Sequence, residues 1–140
     1  MKVSEIMTED PVTIDPESTA KDAAKIMKEE NLGTVLVAEG ARLEGIVTDR
    51  QIAIKVVASE KDPKETRVSE FMTKYPITVS PDTEIEEVSR IIGDNGIRRV
   101  PVVEGERLVG IISAADIADH ARDCNICIDN ILNEFAKAER

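Results

Sequence analysis

An internal repeat with a spacing of 65 residues restricts the folds open to this chain more than any other feature. Residues 3–8 (VSEIMT) return as residues 68–73 (VSEFMT), 65 positions later. The same offset continues without a gap and relates Pro16 to Pro81 and Gly45 to Gly110. Self-similarity at a fixed period indicates that each copy is one supersecondary unit. The chain is therefore predicted to contain two similar structural repeats.

Each copy shows the same succession of hydrophobic patterns. A short extended segment precedes a helix whose apolar residues are spaced by three and four, as at Ile85, Val88 and Ile92. Two strands joined by a Glu-Gly turn follow, and a second helix begins near Asp49 in one copy and near Ala114 in the other. The predicted fold class is therefore α/β (α+β), with two β-α-β-β-α repeats whose paired strands span residues 34–38, 43–47, 99–103 and 108–112.

The repeats are predicted over residues 1–58 and 68–123. Residues 59–67 contain no apolar side chain and are predicted to be the linker, and residues 124–140 form a tail that does not repeat. One copy has too little area to bury both faces of a small sheet. We therefore expect the two copies to pack as a pseudo-two-fold pair, with the tail as a C-terminal helical extension.

Local signals place the ends of the first helix in the second copy. Thr83 followed by Glu86 three residues later is typical of a capping box. Asn95-Gly96 is typical of a helix C-terminus, because both residue types tolerate the left-handed conformation.

The acidic composition disfavours several classes of function. The formal net charge is −10, which repels phosphate backbones and anionic lipids, so no nucleic-acid or membrane partner is expected. No apolar run approaches the roughly 20 residues that span a bilayer. The N-terminus has no apolar signal segment, and two cysteines in such a chain indicate a reducing, cytoplasmic setting.

Catalytic machinery is not recognisable. The chain has one histidine, His120, with no plausible nucleophile–base pair and no Gly-rich phosphate loop. We therefore expect a protein that is not an enzyme and requires no cofactor.

The segment 110–116 carries the strongest candidate for a ligand site. A strand ends at Gly110-Ile111-Ile112 and a helix follows, with Ser113 and Asp116 on one face of its first turn. A carboxylate can accept both hydroxyl hydrogens of a ribose, and free N–H groups of a first helical turn favour a phosphate. The same two residue types are also good helix starters, so ordinary capping is an alternative that can hold at the same time.

These motifs together resemble the CBS domain, named after cystathionine β-synthase. The resemblance rests on Met-Thr-x-x-Pro at the start of each copy, on residues 96–103 (GIRRVPVV) and on residues 110–117 (GIISAADI). Such a tandem pair, or Bateman module, often dimerises. The resemblance implies an adenosyl nucleotide as ligand (AMP, ADP, ATP or S-adenosylmethionine) in the clefts between the repeats.

The resemblance also implies which residues contact the ligand. A basic residue at the place of Arg98 and Arg99 meets a ligand phosphate, which suits a planar bidentate donor. Strand alternation sends these two side chains to opposite faces, and an exposed pair bound to acidic residues is the alternative. The remaining candidates implied by the family pattern are Asp116, Ser113, Ile111, Thr13, Thr34, Thr48 and Thr78. Thr13 and Thr34 would complete the Asp116 site, and Thr78 the weaker site of the first copy.

The first copy departs from this pattern. Gln51 replaces the aspartate, and Gly33-Thr34 replaces the two arginines. A glutamine can bond a hydroxyl only without charge assistance. We therefore predict two unequal sites, with the Asp116 site dominant.

The tail carries a stripe of apolar residues at spacings of three or four. The stripe predicts that the last helix of the second copy continues into the tail, where it would form a dimer contact. Its members are Ile117, Ala121, Cys124, Ile128, Ile131 and Phe135.

His120, Cys124 and Cys127 would share one face of such a continuous helix. Zinc binding is conceivable there, but no further His or Cys pair supplies the remaining ligand. Buried or partly buried thiols are therefore the prediction, with no metal site.

The leading functional hypothesis is a non-catalytic regulatory sensor that binds an adenosyl nucleotide and signals to an effector protein in trans. The alternative is a structural homodimerisation module whose ligand sites have decayed. The sequence identifies neither the ligand nor the effector.

Overall fold

The computed structural model describes residues 1–138, and Glu139 and Arg140 at the end of the predicted tail lie outside the described residues. It confirms the mixed α+β fold class. Within this range no helix has the length and apolar character that crossing a membrane requires. The helices are α1 (Ala20–Glu30), α2 (Asp49–Gln51, continued by π-helical Ile52–Val57), α3 (Ile85–Asn95), α4 (Ala114–His120) and α5 (Asn125–Ala138), with 3₁₀ turns at Val3–Glu5 and Val68–Glu70. The strands are β1 (Thr8–Glu9), β2 (Thr13–Ile14), β3 (Thr34–Glu39), β4 (Arg42–Thr48), β5 (Thr73–Lys74), β6 (Arg99–Glu104) and β7 (Arg107–Ser113).

The chain divides into two compact units whose limits differ from those of the repeats. The first unit is Val12–Pro76, and the second unit combines Met1–Pro11 with the chain from Ile77 onward. Each unit therefore contains most of one repeat and the opening segment of the other.

In the second unit, β7 is the central strand. It pairs antiparallel with β6 and, on its other edge, with β1 near the N-terminus. Val3 and Ile6 belong to the core of this unit, together with residues of α3, β6, β7 and α4. Gly110 permits the approach of β1, because a Cβ at this position would lie 2.7 Å from Met7 Sδ and 2.9 Å from the Thr8 carbonyl oxygen.

The first unit has the same arrangement. Here β4 pairs antiparallel with β3 and β5, and β2 adds in parallel to β3. Val68 and Phe71, which open the second repeat, lie in this core. The predicted linker is also part of the unit, since the Ala20 N–H donates to the Thr66 carbonyl oxygen at 2.8 Å. Gly45 has the role of Gly110, with Met72 Sδ 2.7 Å from a hypothetical Cβ.

The ends of the helices follow the sequence signals only in part. Thr19 caps α1 by accepting a hydrogen bond from the Asp22 N–H, and the N–H and hydroxyl of Thr19 hold the pKa of the Asp22 carboxyl below its usual value. Gly96 ends α3 with φ +63°, as expected. The predicted Thr83–Glu86 capping box is wrong: Thr83 accepts a bond from the Ser80 N–H, and the position before α3 is Glu84 without a side-chain cap.

The prediction of one continuous helix through the tail is wrong. α4 ends at His120, because Ala121 leaves the helical region at φ −131° and ψ 43°, and α5 begins only at Asn125. The apolar spacing continues across this break because Ala121 and Cys124, at the two ends of the segment that connects α4 and α5, both pack against the core.

Helix α5 lies against α3 with both chains running in the same direction. Asn130 Nδ2 donates to Ser89 Oγ at 3.1 Å, and Lys137 Nζ donates to the Asp94 carbonyl oxygen at 2.7 Å. Later residues of α5 thus contact later residues of α3, which shows that the two helices are parallel. A Cβ on Gly93 would lie 2.5 Å from the Asn130 carbonyl oxygen. The absence of a side chain there allows the two helix backbones to approach closely. The tail is thus part of the core of the second unit.

Candidate functional site

The turn from β7 into α4 holds Ser113 and Asp116 in a reciprocal capping box. The Asp116 N–H donates to Ser113 Oγ at 3.1 Å, and the Ser113 N–H donates to Asp116 Oδ2 at 2.9 Å. Both side chains are half-buried. The capping interpretation of these residues is therefore confirmed, and it fixes the rotamers of both side chains.

The capping box leaves part of each side chain free for a ligand. Within the described part of its unit, Asp116 Oδ1 has no hydrogen-bond donor, and the Ser113 hydroxyl still has its proton to donate. A carboxylate oxygen and a hydroxyl thus lie side by side at the start of a helix. Chemically, this pair can accept hydroxyl hydrogens of a ligand at Asp116 and donate one hydrogen bond from Ser113.

Arg99 is placed beside this turn by the sheet register. Its Cα pairs with that of Ser113 across β6 and β7. Val100 and Val102 point into the core of the unit, so Arg99 lies on the opposite face of the sheet. Its guanidinium therefore carries positive charge on the face away from α3 and α5.

Arg98 is engaged by the tail instead. Its Nε donates to Glu134 Oε1 at 3.2 Å, and its guanidinium carbon lies 5.1 Å from the centre of the Phe135 ring. Glu134 is only 1% exposed, and its Oε2 is buried without a hydrogen-bond partner in the described residues. The two arginines thus have different environments, as strand alternation predicts, and Arg98 adopts the alternative of pairing with an acidic residue.

The equivalent turn of the first unit has the same geometry with different chemistry. Thr48 and Gln51 form a capping box in which the Gln51 N–H donates to Thr48 Oγ1 at 3.1 Å and the Thr48 N–H donates to Gln51 Oε1 at 2.9 Å. Gln51 Nε2 also donates to Thr73 Oγ1 at 2.6 Å. Thr34 pairs with Thr48 in the register that Arg99 and Ser113 have. The side-chain amide of this turn is therefore already bonded within its own unit.

The remaining predicted ligand residues are distributed over both units. Ile111 is half-buried in β7, opposite Thr8 of β1 and Pro101 of β6. Thr78 is exposed and precedes Val79, which bridges to β6. Thr13 is exposed in β2 of the first unit, which also contains Thr34 and Thr48. The second unit alone therefore brings together Ser113, Asp116 and Arg99, and a contribution of Thr13 and Thr34 to that site stays a prediction.

The sequence analysis missed the partners of Arg98. Glu134 and Phe135 lie in the tail, which was interpreted only for its apolar spacing. A glutamate that faces the same side of α5 as Ile131 was the available signal, because a buried carboxylate requires a cationic partner.

The prediction for the cysteines is wrong as well. Cys124 and Cys127 are joined by a disulfide rather than present as two thiols. His120 does not share their helix face, since it ends α4 with Nδ1 3.0 Å from the Asp116 carbonyl oxygen. The break at Ala121 separates the three residues that a continuous helix would have aligned.

Comparison with known proteins identifies relatives along both repeats. A family model described as the CBS domain matches residues 3–58 and 68–123. The CBS domain-containing protein YhcV of Bacillus subtilis is 36% identical over 116 residues, which are 83% of this chain and 82% of YhcV. Hypoxic response protein 1 of Mycobacterium tuberculosis is 33% identical over 117 residues, which are 83% of this chain and 82% of that protein.

Solved structures of such proteins share the fold. A crystal structure of Hypoxic Response Protein I with two coordinated zinc ions has a TM-score of 0.79 and 32% identity, covering 86% of this chain and 98% of the other. The structure of a hexameric CBS-CP12 protein from bloom-forming cyanobacteria has a TM-score of 0.75 and 41% identity, covering 86% of this chain and 72% of the other. The chain therefore belongs to the CBS-domain family and carries two copies of that domain.

Proposed function

We propose that this protein is a non-catalytic regulatory module that binds an adenosyl nucleotide at the Ser113–Asp116 turn and signals to an effector protein in trans. The observation that carries the proposal is the second carboxylate oxygen of Asp116, which has no donor in the described part of its unit and is held beside the Ser113 hydroxyl by a closed capping box. The ligand class comprises AMP, ADP, ATP and S-adenosylmethionine. These molecules share a ribose with two adjacent hydroxyl groups.

The ribose is the part of the ligand that suits Asp116. A carboxylate accepts hydrogen bonds without donating any, and charge-assisted bonds of this kind contribute about 1.5–3 kcal/mol each. Because the Ser113 N–H already restrains the carboxylate, little side-chain entropy is lost when a ligand binds. The turn is therefore preorganised for a sugar hydroxyl.

Arg99 is the candidate for the phosphate or carboxylate end of the ligand. The chain carries a net charge of −10, so an anionic ligand needs a local cation. Arg98 is less suited to this role, because its guanidinium is already bonded to the buried Glu134. We assign Arg99 rather than Arg98 to the anionic group. The N–H groups of Ala114 and Asp116 at the start of α4 already donate to the Arg98 carbonyl oxygen and to Ser113 Oγ, so the assignment rests on the guanidinium of Arg99.

The two sites are proposed to be unequal. Gln51 offers no charge to a ribose, and its amide is bonded to Thr73. Gly33 and Thr34 offer no cation where the second repeat has Arg98 and Arg99.

Self-association is proposed as part of the function. Helix α5 buries Cys127 and Ile131 but leaves Ile126, Leu132 and Phe135 between 45% and 61% exposed. A CBS-CP12 relative is described as hexameric, which supports assembly in this family. Exposed apolar side chains on one helix are a common dimer contact. The competing proposal is a homodimerisation module with no ligand.

Calorimetric titration tests the nucleotide proposal. The full chain, freed of co-purified nucleotide by unfolding and refolding, is titrated separately with AMP, ADP, ATP and S-adenosylmethionine, with inosine monophosphate as the base control. We expect at least one adenosyl ligand to bind with a Kd well below about 1 mM. A Kd of about 1 mM corresponds to a standard binding free energy of about −4 kcal/mol. A refolded chain that binds none of the four ligands below that concentration contradicts the nucleotide proposal, and if that chain is a dimer the result favours the structural module.

A further inference from the structure

The cysteine pair of the tail meets a carboxylate from another helix. Cys124 directly precedes α5, and Cys127 is fully buried in its first turn. Glu86 lies in the first turn of α3. One ligand atom from each of these three residues lies within 4.8 Å of the other two. The grouping is independent of the proposed nucleotide site.

The parallel packing of α3 and α5 brings these groups together. The Asn130–Ser89 and Lys137–Asp94 hydrogen bonds show that both helices begin at the same end of their contact. Gly93 allows the close approach that this contact requires. Cys127 is therefore held inside this contact, and the half-buried Cys124 and the exposed Glu86 lie beside it at the N-terminal ends of the two helices.

The repeat offers an internal comparison. At the position of Glu86 the first repeat has Lys21, and no segment equivalent to α5 follows its second helix. The three groups thus occur once in the described chain, where the tail adds to the repeat. The shared fold of the repeats does not require them.

We propose that the reduced chain binds one Zn²⁺ ion through Cys124, Cys127 and Glu86. Two cysteines separated by two residues have the spacing of structural zinc ligands, and a carboxylate oxygen is an accepted third ligand. Ligand atoms of a tetrahedral zinc ion lie roughly 3.5 Å apart. Because the Glu86 side chain is exposed and its ligand atom already lies within 4.8 Å of both sulfur atoms, it can move closer without any repacking of the core. The fourth position belongs to water or to a ligand from outside the chain.

The local field favours the anionic ligands of such a site. The first turns of two helices meet here, and the positive ends of their dipoles stabilise thiolate and carboxylate groups. The Cys127 N–H also donates to Cys124 Sγ at 3.2 Å. Two thiolates and one carboxylate around Zn²⁺ carry a net charge of about −1, which these N–H groups partly neutralise.

Oxidation and metal binding exclude each other at this site. In the structure the two sulfur atoms are bonded to one another, so neither is available as a thiolate. A water-soluble phosphine reductant cleaves that bond: it donates two electrons and becomes the phosphine oxide with an oxygen atom from water, whose two hydrogens end on the two sulfurs. Zinc then displaces those two protons into solvent.

The test uses the full chain, reduced with the phosphine and desalted without oxygen, and titrated with Co²⁺ as a spectroscopic probe for Zn²⁺. We expect one Co²⁺ per chain, with a thiolate-to-cobalt charge-transfer band in the near ultraviolet that one equivalent of Zn²⁺ removes. The oxidised chain should show no band. A reduced chain without the band, or an oxidised chain with it, overturns the proposal.

Variants separate the three-ligand site from binding by thiols alone. Glu86→Gln should weaken Co²⁺ binding about 10- to 100-fold, and the double variant Cys124→Ser/Cys127→Ser should abolish the charge-transfer band. Glu87→Gln is the matched control, because Glu87 lies in the same helical turn but pairs with Arg90. Equal affinities for Glu86→Gln and Glu87→Gln overturn the three-ligand site. Circular dichroism confirms that each variant is folded.

Discussion

At the scale of single residues, the two repeats differ in chemistry while their backbones agree. Asp116 and Gln51 close the same capping box, with the same donors and distances that agree within 0.1 Å. The predicted inequality of the sites therefore depends on side-chain charge and not on local geometry. Arg98 also differs from the family pattern in its side-chain partner. The pattern assigns this residue to a ligand, whereas here it is bonded to Glu134.

The pair of Arg98 with Glu134 predicts a loss of stability in Arg98→Met. This variant keeps the length and apolar stem of the side chain but leaves the buried Glu134 carboxylate without a cation. Because Arg98 is half exposed, we expect the free energy of unfolding to fall by about 1–3 kcal/mol, below the full penalty for a buried pair. Urea unfolding at pH 7 measures it.

The double variant Arg98→Met/Glu134→Leu is the control for this prediction. It removes the buried charge together with its partner and should recover most of the lost stability. An Arg98→Met chain as stable as the wild type would show that the carboxylate is not confined as the structure describes.

At the scale of elements, helices and strands with a regular hydrophobic period were predictable from the sequence, whereas a break within a helix and the start of α3 were not. The helices α1 and α3 and the strands β3, β4, β6 and β7 agree with the hydrophobic periods to within a residue or two at most ends. The break between α4 and α5 was not predicted, because the spacing of apolar residues indicates which side chains are buried and does not show whether the helix backbone is continuous. The capping signal at Thr83 failed because the hydroxyl bonds a turn that precedes the helix.

The contact between α3 and α5 predicts that Gly93→Ala destabilises the chain. In an isolated helix this change would stabilise by about 1 kcal/mol. Here the added Cβ would lie 2.5 Å from the Asn130 carbonyl oxygen, so the helices must separate. We expect a net loss of about 1–3 kcal/mol in the free energy of unfolding, measured by urea titration.

Lys28→Ala is the matched control for Gly93→Ala, because Lys28 is the equivalent position in α1 and is exposed. It should change stability by less than about 0.5 kcal/mol. If Gly93→Ala raises stability, the close packing of α5 on α3 is disproved.

At the scale of the whole molecule, each repeat contributes its opening segment to the unit formed by the other repeat: residues 3–8 lie in the second unit and residues 68–73 in the first. This exchange of opening segments was not predictable from the sequence. Residues 3–8 and 68–73 are nearly identical, so pairing β1 with β7 or with β4 satisfies the same side-chain pattern. Backbone hydrogen bonds hold the observed pairing in place: the Val3 N–H donates to the Thr83 carbonyl oxygen at 2.9 Å, and the Val68 N–H donates to the Ser18 carbonyl oxygen at 2.8 Å. The turn that holds Ser113 and Asp116 was predictable from its motif, whereas the pairing of Arg98 with the tail was not.

This exchange predicts how fragments of the chain behave. A fragment of residues 12–76 contains the complete first unit, whereas a fragment of residues 1–58 lacks β5 and the core residues Val68 and Phe71. We expect the 12–76 fragment to have the higher midpoint and the more cooperative transition in thermal unfolding followed by circular dichroism. Equal or greater stability of the 1–58 fragment would contradict the exchange.

We propose that Asp116 makes the second repeat the dominant nucleotide site, and removal of its charge tests this role most directly. Asp116→Asn keeps an oxygen that can accept the Ser113 N–H, so it preserves the cap while removing the charge. Calorimetric titration with the tightest adenosyl ligand should show affinity reduced about 10- to 100-fold in Asp116→Asn, as expected for loss of a charge-assisted hydrogen bond. The corresponding change in Gln51→Ala should stay below about threefold. Equal losses in the two variants, or no loss in Asp116→Asn, would contradict the claim.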